Sequence, residues 1–356
     1  MKESQSAIDS EAKPRLHIAA MGLRNQVGGT VQARLHYPLD ALASLPGVRC
    51  VYGAGSLAIP PDFQPGILML SRLFMNEAPL WSALQAKVSQ GWVLVTDMDD
   101  DPEHWPQYRA SGYRAFKGVH AVTVSTPALV QQIAAWNPHV HVLPNALHHI
   151  TSTVPTLPKN QQRVKVFFGA INRQKDWAPV IKGVNAAALA LGDSVEFVVV
   201  HDQAFHDALP KQSHKTFHST LHHEDYLAVL AACDLALLPL ADTVFNRCKS
   251  DLKLIECAGA GVVPICSRVV YADNPLHHDF AAFAESADEY KRALLSLCKS
   301  ANELNRRAAL GHAYVASQRT HAVLASQRRD VYLGLLAHRP LLEAQRQARL
   351  QTLPRL

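Results

Sequence analysis

From Arg15 onward, short unbroken apolar runs alternate with longer stretches in which apolar residues recur every third or fourth position. The unbroken runs read as strands buried on both faces. The spaced ones read as amphipathic helices that cover them, so the pattern predicts a parallel α/β architecture. In the first half the strands are RLHIAAMG, RCVYGAG, GILMLSR, WVLVTDMD, AVTVST and VHVLPNA. Helices are predicted over QARLHYPLDALASL, APLWSALQAKVSQG, DPEHWPQYRASGYRAFKGV and PALVQQIAAW. The last of these starts with Thr126 as a capping side chain and Pro127 at the first helical position.

Residues 147–162, LHHITSTVPTLPKNQQ, carry two prolines and no periodicity, and they read as a domain linker and hinge. The rhythm then restarts. VKVFFGA, VEFVVVH, KTFHS, LALLPL and VVPICS are strands, and helices are expected near 175–191, 224–232, 251–260 and 286–298. The organisation predicted is a disordered leader at 1–13, a Rossmann-like domain at 14–146, the linker, a second Rossmann-like domain at 163–300 and C-terminal helices at 301–356.

Composition adds bounds. The chain has 356 residues, 48% of them hydrophobic and 18% charged, which is enough apolar material for two cores. A formal net charge of +5 suits phosphorylated small molecules or an anionic membrane surface. No nucleic-acid-binding module accompanies the charge, so DNA and RNA are not expected partners. Six cysteines are scattered without a C-x-x-C pair and read as reduced thiols, and the polar start MKESQSAIDSEAKPR lacks a signal-peptide core. A cytoplasmic protein is expected.

The densest chemistry lies in DLALLPLADTVFNRCKSDLKLIECAGAGVVPICS, residues 234–267. A strand ends near Pro239, a loop follows, and a helix begins near Ser250, read as its N-cap. Lys249 stands just before that helix, where free N–H groups and the helix dipole favour a phosphate. Lys253 follows one turn later, and the carboxylate of Glu256 suits a ribose diol. The bland alternative is a surface pair between Glu256 and Lys253.

KSDLKLIECAGAGVVPICS is similar to the donor-binding segment of GT-B-fold glycosyltransferases, particularly the family 4, glycogen-synthase-like group. The resemblance implies two facing Rossmann-like domains with an interdomain cleft. It implies that Glu256 holds the donor ribose, that a basic residue near Lys249 or Lys253 faces the diphosphate, and that transfer retains anomeric configuration. The family pattern has two glutamates separated by seven residues, and here Cys248 stands at the first. VKVFFGAINRQKDWAPVIKGVNAAA resembles the opening strand and loop of the donor domain, where Arg173 and Lys175 would offset the leaving diphosphate's charge.

In the first domain, Gly28 and Gly29 lie between a strand and a helix and allow close backbone approach to a donor. Relatives often carry such a pair, followed by an arginine and a proline, here Arg34 and Pro38. The run TDMDDDPEHWP holds Asp99, Asp100 and Asp101, read as acceptor-side or helix-capping residues rather than metal ligands. Neither an essential metal nor a cofactor is expected. The basic, leucine-bearing tail HRPLLEAQRQARLQTLPRL suits peripheral contact with a membrane carrying a lipid-linked acceptor, or a helix packed back across the domains, the preferred reading.

The function these residues point to is transfer of a sugar from a nucleotide-diphosphate sugar to a glycan or lipid-linked acceptor. The alternatives are a nucleotide-sugar epimerase on the same fold and a non-catalytic relative that binds sugar nucleotides.

Overall fold

The computed structural model describes residues 16–23, 29–154 and 163–354. The expected leader, Gly28 and the second half of the expected linker lie outside these residues. Two six-stranded sheets, parallel throughout, each form the centre of a domain. The first contains β1 (Leu16–Gly22), β2 (Val48–Ala54), β3 (Ile67–Ser71), β4 (Val93–Met98), β5 (Ala121–Val124) and β6 (Val140–Val142) in the order β2-β1-β3-β4-β5-β6. The second contains β7 (Val164–Gly169), β8 (Val195–Val200), β9 (His214–His218), β10 (Leu235–Leu238), β11 (Val263–Cys266) and β12 (Ala282–Phe283) in the order β12-β11-β10-β7-β8-β9.

Continuous burial explains why these strands read as unbroken apolar runs. Every residue of ILMLS, LALL and VPIC is buried between helical layers. Strand order reverses between β1 and β3 in the first sheet and between β7 and β10 in the second. Such reversals leave a crevice at the carboxyl ends of the strands, the usual ligand position in open α/β sheets.

Three local expectations need correction. The single helix expected over residues 101–119 is a 3₁₀ turn (Pro102–His104) and two short helices, Pro106–Ala110 and Arg114–Lys117. Pro106 holds Trp105 extended, and Gly112 and Tyr113 at φ 65° and 61° interrupt the chain again. The helix expected near 175–191 is likewise split, into Gln174–Trp177 and Ile181–Leu191. The helix Gln203–Ala208 and the two-residue strand β12 were too short to stand out in the pattern.

The chain crosses between domains twice. It leaves the first along 143–147 and returns at Arg319–Thr320, where Leu147 and Thr320 form an isolated bridge. Three guanidinium groups hold consecutive carbonyls of the outgoing strand. Arg34 donates to Leu143 at 2.7 Å, Arg328 to Pro144 at 2.5 Å and Arg319 to Asn145 at 2.9 Å. Beyond the crossing, helix His321–Ala337 packs on helix Tyr37–Ala43 and on β1.

The tail helix Arg339–Leu350 lies on the first domain. It buries Leu342 and Arg346, and Arg346 and Arg349 donate to the carbonyls of Gly118, Lys117 and Val119. These arginines therefore face protein. Among the described residues no helix is long and apolar enough to cross a membrane.

Candidate active site

The crevice at the β7–β10 reversal opens into a cavity of about 310 Å³ that faces the first domain. The second domain lines it with Gly169, Ala170 and Arg173 after β7, Pro239 and Leu240 after β10, and Lys249, Ser250, Leu252 and Lys253 at the start of helix Leu252–Gly259. The first domain contributes Thr30, Arg72, Asp99, Asp100 and Asn145. Arg72, Arg173, Lys249 and Lys253 face only Asp99 and Asp100, so the lining carries an excess of two positive charges.

Each cation is held by named partners. Arg173 donates to Asp176 at 3.0 Å and to Asn246 at 2.8 Å. Lys253 donates to the Tyr226 hydroxyl at 2.8 Å, and burial lowers its pKa. Lys249 lies 4.1 Å from the Phe245 ring centroid and pairs with Asp100 at 3.1 Å; burial lowers its pKa, and Asp100 opposes the shift. Arg72, left-handed at φ 57°, pairs with Asp99 at 2.6 Å and Asp100 at 3.4 Å. A non-glycine residue held in that backbone region at a strand end is a common mark of a functional site.

A second cavity of about 570 Å³ adjoins the first and shares Leu252 with it. Glu256 lines it, buried, with His223 4.0 Å away and its carboxyl pKa pushed upward by burial. Tyr37 and His148, stacked at 4.7 Å and 2°, also line it. Gly29 stands at the junction: a Cβ there would sit 2.6 Å from the His223 ring. A side chain at this position would have to displace that ring or part the domains here.

The cleft is bridged at three points around the 248–250 segment. Besides the Lys249–Asp100 pair, Thr126 donates to the Cys248 carbonyl at 3.2 Å and the Asn145 amide donates to the Ser250 hydroxyl at 2.7 Å. Cys248 is buried in the core of the first domain, and burial pushes its thiol up to about 11. The residue at the family's first glutamate position is therefore absent from the cavity lining.

Most of the residues singled out in the sequence converge here. Lys249, Ser250, Lys253, Arg173, Asp99 and Asp100 line the first cavity, Glu256 lines the second, and Gly29 sits between them. Two placements differ from expectation, those of Lys175 and of Ser250 as N-cap. Lys175 is exposed on the short helix after Arg173 and does not line the cavity. Asp101 takes the helix-capping one of its two expected roles, accepting from the Glu103 amide at 2.9 Å at the start of the 3₁₀ turn. The N-cap of the Glu256 helix is Asp251, whose carboxylate pairs with Arg319, while Ser250 accepts from Leu252 N at 3.4 Å. Lys253 donates to Tyr226, not to the Glu256 carboxylate that the bland alternative gave it as partner. Arg72 and Asn145 were missed, because each acts across strands and neither belongs to a local motif.

No family model matches the chain, and no curated protein sequence matches it. Solved structures do. HepE from Anabaena in complex with UDP-glucose aligns with a TM-score of 0.64 at 12% identity, over 90% of this chain and 100% of that one. WaaG, a glycosyltransferase involved in lipopolysaccharide biosynthesis, aligns at 0.59 and 15% identity, over 89% and 100%. TarM aligns at 0.53 and 10% identity over 75% of this chain, which spans 54% of TarM's length. At these identities the likeness speaks for architecture, and it agrees with the two facing domains, the strand orders and the cleft described above: the chain has the GT-B fold.

Proposed function

We propose that the protein is a glycosyltransferase that moves a sugar from a nucleotide-diphosphate sugar to a glycan or lipid-linked acceptor, with retention of configuration. The observation that carries this reading is the pair of adjoining cavities at the β7–β10 reversal. One has a positive lining sized for a diphosphate and its sugar, and the other offers a buried carboxylate to a ribose diol. HepE, on the same fold, was solved with UDP-glucose bound.

Lys249, Arg173 and Lys253 meet the diphosphate in this reading, and Glu256 accepts from the ribose hydroxyls. Asp99 and Asp100 face the incoming acceptor. As the bond from the anomeric carbon to the phosphate oxygen breaks, the cations take up the growing charge on the leaving group. The acceptor oxygen bonds to the same face of the sugar and its proton passes to the departing phosphate oxygen. Such a route requires no protein nucleophile.

A thermal-shift screen of UDP-, GDP-, ADP- and CMP-sugars identifies the donor, since a ligand at a hundred times its Kd adds about 2.7 kcal/mol of stability. Turnover is then assayed with and without glycan and lipid-linked acceptors. Nucleoside diphosphate release that depends on acceptor supports transfer. Conversion of the sugar nucleotide without acceptor identifies an epimerase, and tight binding without turnover on any acceptor identifies a binding protein.

A further inference from the structure

A chain of buried hydrogen bonds runs from the core of the first domain to the lip of the cavity. Arg34 sits in the π-helical stretch Gln32–His36, a geometry frequent at functional sites. Its Nε donates to Asp97 Oδ2 at 2.9 Å and one Nη to Asp97 Oδ1 at 2.6 Å. Thr123 donates to the same carboxylate at 2.7 Å, and Arg34's other Nη donates to Asn145 Oδ1 at 2.9 Å. Asn145 Nδ2 then donates to Ser250 Oγ at 2.7 Å. Arg34, Asp97 and Asn145 are all buried, and Asn145 and Ser250 both line the cavity.

Directionality follows from chemistry. An amide's oxygen and nitrogen are normally interchangeable in position, but a guanidinium only donates, so the atom facing Arg34 must be the oxygen. The nitrogen is then forced toward Ser250. A serine hydroxyl has two acceptor sites and one proton. Asn145 Nδ2 takes one acceptor site, and the longer contact from Leu252 N at 3.4 Å takes the other. Among the described residues the proton of Ser250 meets no acceptor in this arrangement, and the open side is the positive cavity. The backbone of Asn145 is fixed as well, because Arg319 donates to its carbonyl at 2.9 Å while pairing with Asp251, the residue after Ser250.

We infer that Asp97, Arg34 and Asn145 are positioning residues that set Ser250 as an obligate hydrogen-bond donor to a phosphate oxygen of the ligand. This rests on the reading of the cavity as a diphosphate site. It assigns the first domain a part in donor recognition through the orientation of one hydroxyl on the second.

The test uses the full chain, with inorganic pyrophosphate as the probe in titration calorimetry and the nucleoside of the best-binding sugar nucleotide as the comparison. Ser250→Ala is expected to weaken pyrophosphate about tenfold, as for one hydrogen bond to a charged group, and to leave the nucleoside unchanged. Ser250→Thr, which keeps the hydroxyl, restores affinity. Asn145→Asp makes the atom facing Ser250 an acceptor, turns the hydroxyl proton inward, and adds a negative charge. A double-mutant cycle separates the two effects: the charge acts in either background, whereas reorientation vanishes once the serine hydroxyl is removed. The expected result is that Asn145→Asp weakens pyrophosphate several-fold more with Ser250 present than in the Ser250→Ala background. Equal effects in both backgrounds overturn the relay while leaving the cavity assignment intact. Should Asn145→Asp fail to fold, Ser250→Ala decides alone, and unchanged pyrophosphate affinity refutes the inference. A wild-type protein that binds neither pyrophosphate nor any nucleoside diphosphate refutes the site reading itself.

Discussion

Lys249 and Asp100 face each other across the cleft, and replacing them one at a time should move ligand affinity in opposite directions. Their charged atoms are 3.1 Å apart, with side chains 20% and 10% exposed, so the pair is largely sheltered from solvent. Two unit charges about 4 Å apart attract by about 4 kcal/mol at an effective dielectric constant of 20. Desolvation of the two charges offsets most of that attraction, so the pair's net value is small. A diphosphate arriving at Lys249 has to displace Asp100 or share the ammonium with it. Asp100→Asn keeps the shape, frees Lys249 and raises the excess positive charge of the lining from two to three. Pyrophosphate should then bind about threefold to tenfold more tightly. Lys249→Ala removes the cation and leaves Asp100 with Arg72 at 3.4 Å and the Asp101 amide at 3.2 Å. A hydrogen bond to a charged group is worth about 1.5–3 kcal/mol, so diphosphate affinity should fall about tenfold to a hundredfold.

Glu256→Gln supplies the contrast. It touches the second cavity only, so a nucleoside, a nucleoside monophosphate and a nucleoside diphosphate should all weaken by a similar factor. The Lys249 and Asp100 effects should be absent for the nucleoside and should shrink at high salt. Calorimetry on the three variants with these three ligands separates the two cavities. Tighter nucleoside binding in Asp100→Asn, or equal losses for all ligands in Lys249→Ala, would refute the division of the site.

Three further outcomes are expected. If side-chain cations rather than a metal face the diphosphate, donor binding, followed by calorimetry, should survive EDTA; loss on chelation with recovery on Mg²⁺ or Mn²⁺ would return Asp99 and Asp100 to consideration as ligands. Gly29→Ala should weaken nucleotide binding with little change in Tm, since its Cβ would meet the His223 ring at 2.6 Å, and unchanged affinity would show that the approach of the two domains is not needed. The stability of the unliganded protein should fall on acidification from pH 7 to 5. Burial lowers the pKa of His120 to about 4 and of His321 to about 2, so the unfolded chain binds protons that the folded one refuses. Stability from these groups is present above their unfolded pKa of about 6.5 and is lost as pH falls below it, by about 2 kcal/mol per histidine at pH 5. Urea titrations across that range, repeated on His120→Phe, check the slope.

What the sequence made legible and what it hid divide along sequence distance. Lys249, Ser250, Lys253 and Glu256 lie within one strand–loop–helix unit, and the local pattern of apolar runs and a glycine-rich exit fixes which way the unit points. Lys175 fails at the same scale through helical phase. It is two residues beyond Arg173, about 200° around a turn that starts there, so the two side chains cannot serve one cavity. Asp101 resembled its neighbours in the sequence, yet its carboxylate caps the 3₁₀ turn and does not line the cavity.

The remaining site residues were hidden because their roles depend on pairings between distant parts of the chain. Arg72 follows β3, and its aspartates follow β4. They meet because those strands are neighbours in the sheet, with Ser71 opposite Asp97. Arg34 and Asn145 are 111 positions apart, and Asn145 and Ser250 are 105 apart, on different domains. In the sequence Arg34 resembled the arginine that follows a glycine pair in relatives, and Asn145 lay near the end of an expected strand. Neither residue announces that one fixes the amide of the other. Cys248 follows the same logic in reverse. The departure from the two-glutamate pattern was plain in the sequence, but its consequence required the second domain's loop to be set against Thr126 and the first domain's core. There the thiol is packed in the first domain's core outside the cavity lining, and Lys249, beside it, extends into the cavity toward Asp100. A glutamate in place of Cys248 would set a further carboxylate in a buried position beside Asp101 and Asp100, an unfavourable arrangement. In this chain that position therefore serves the contact between domains.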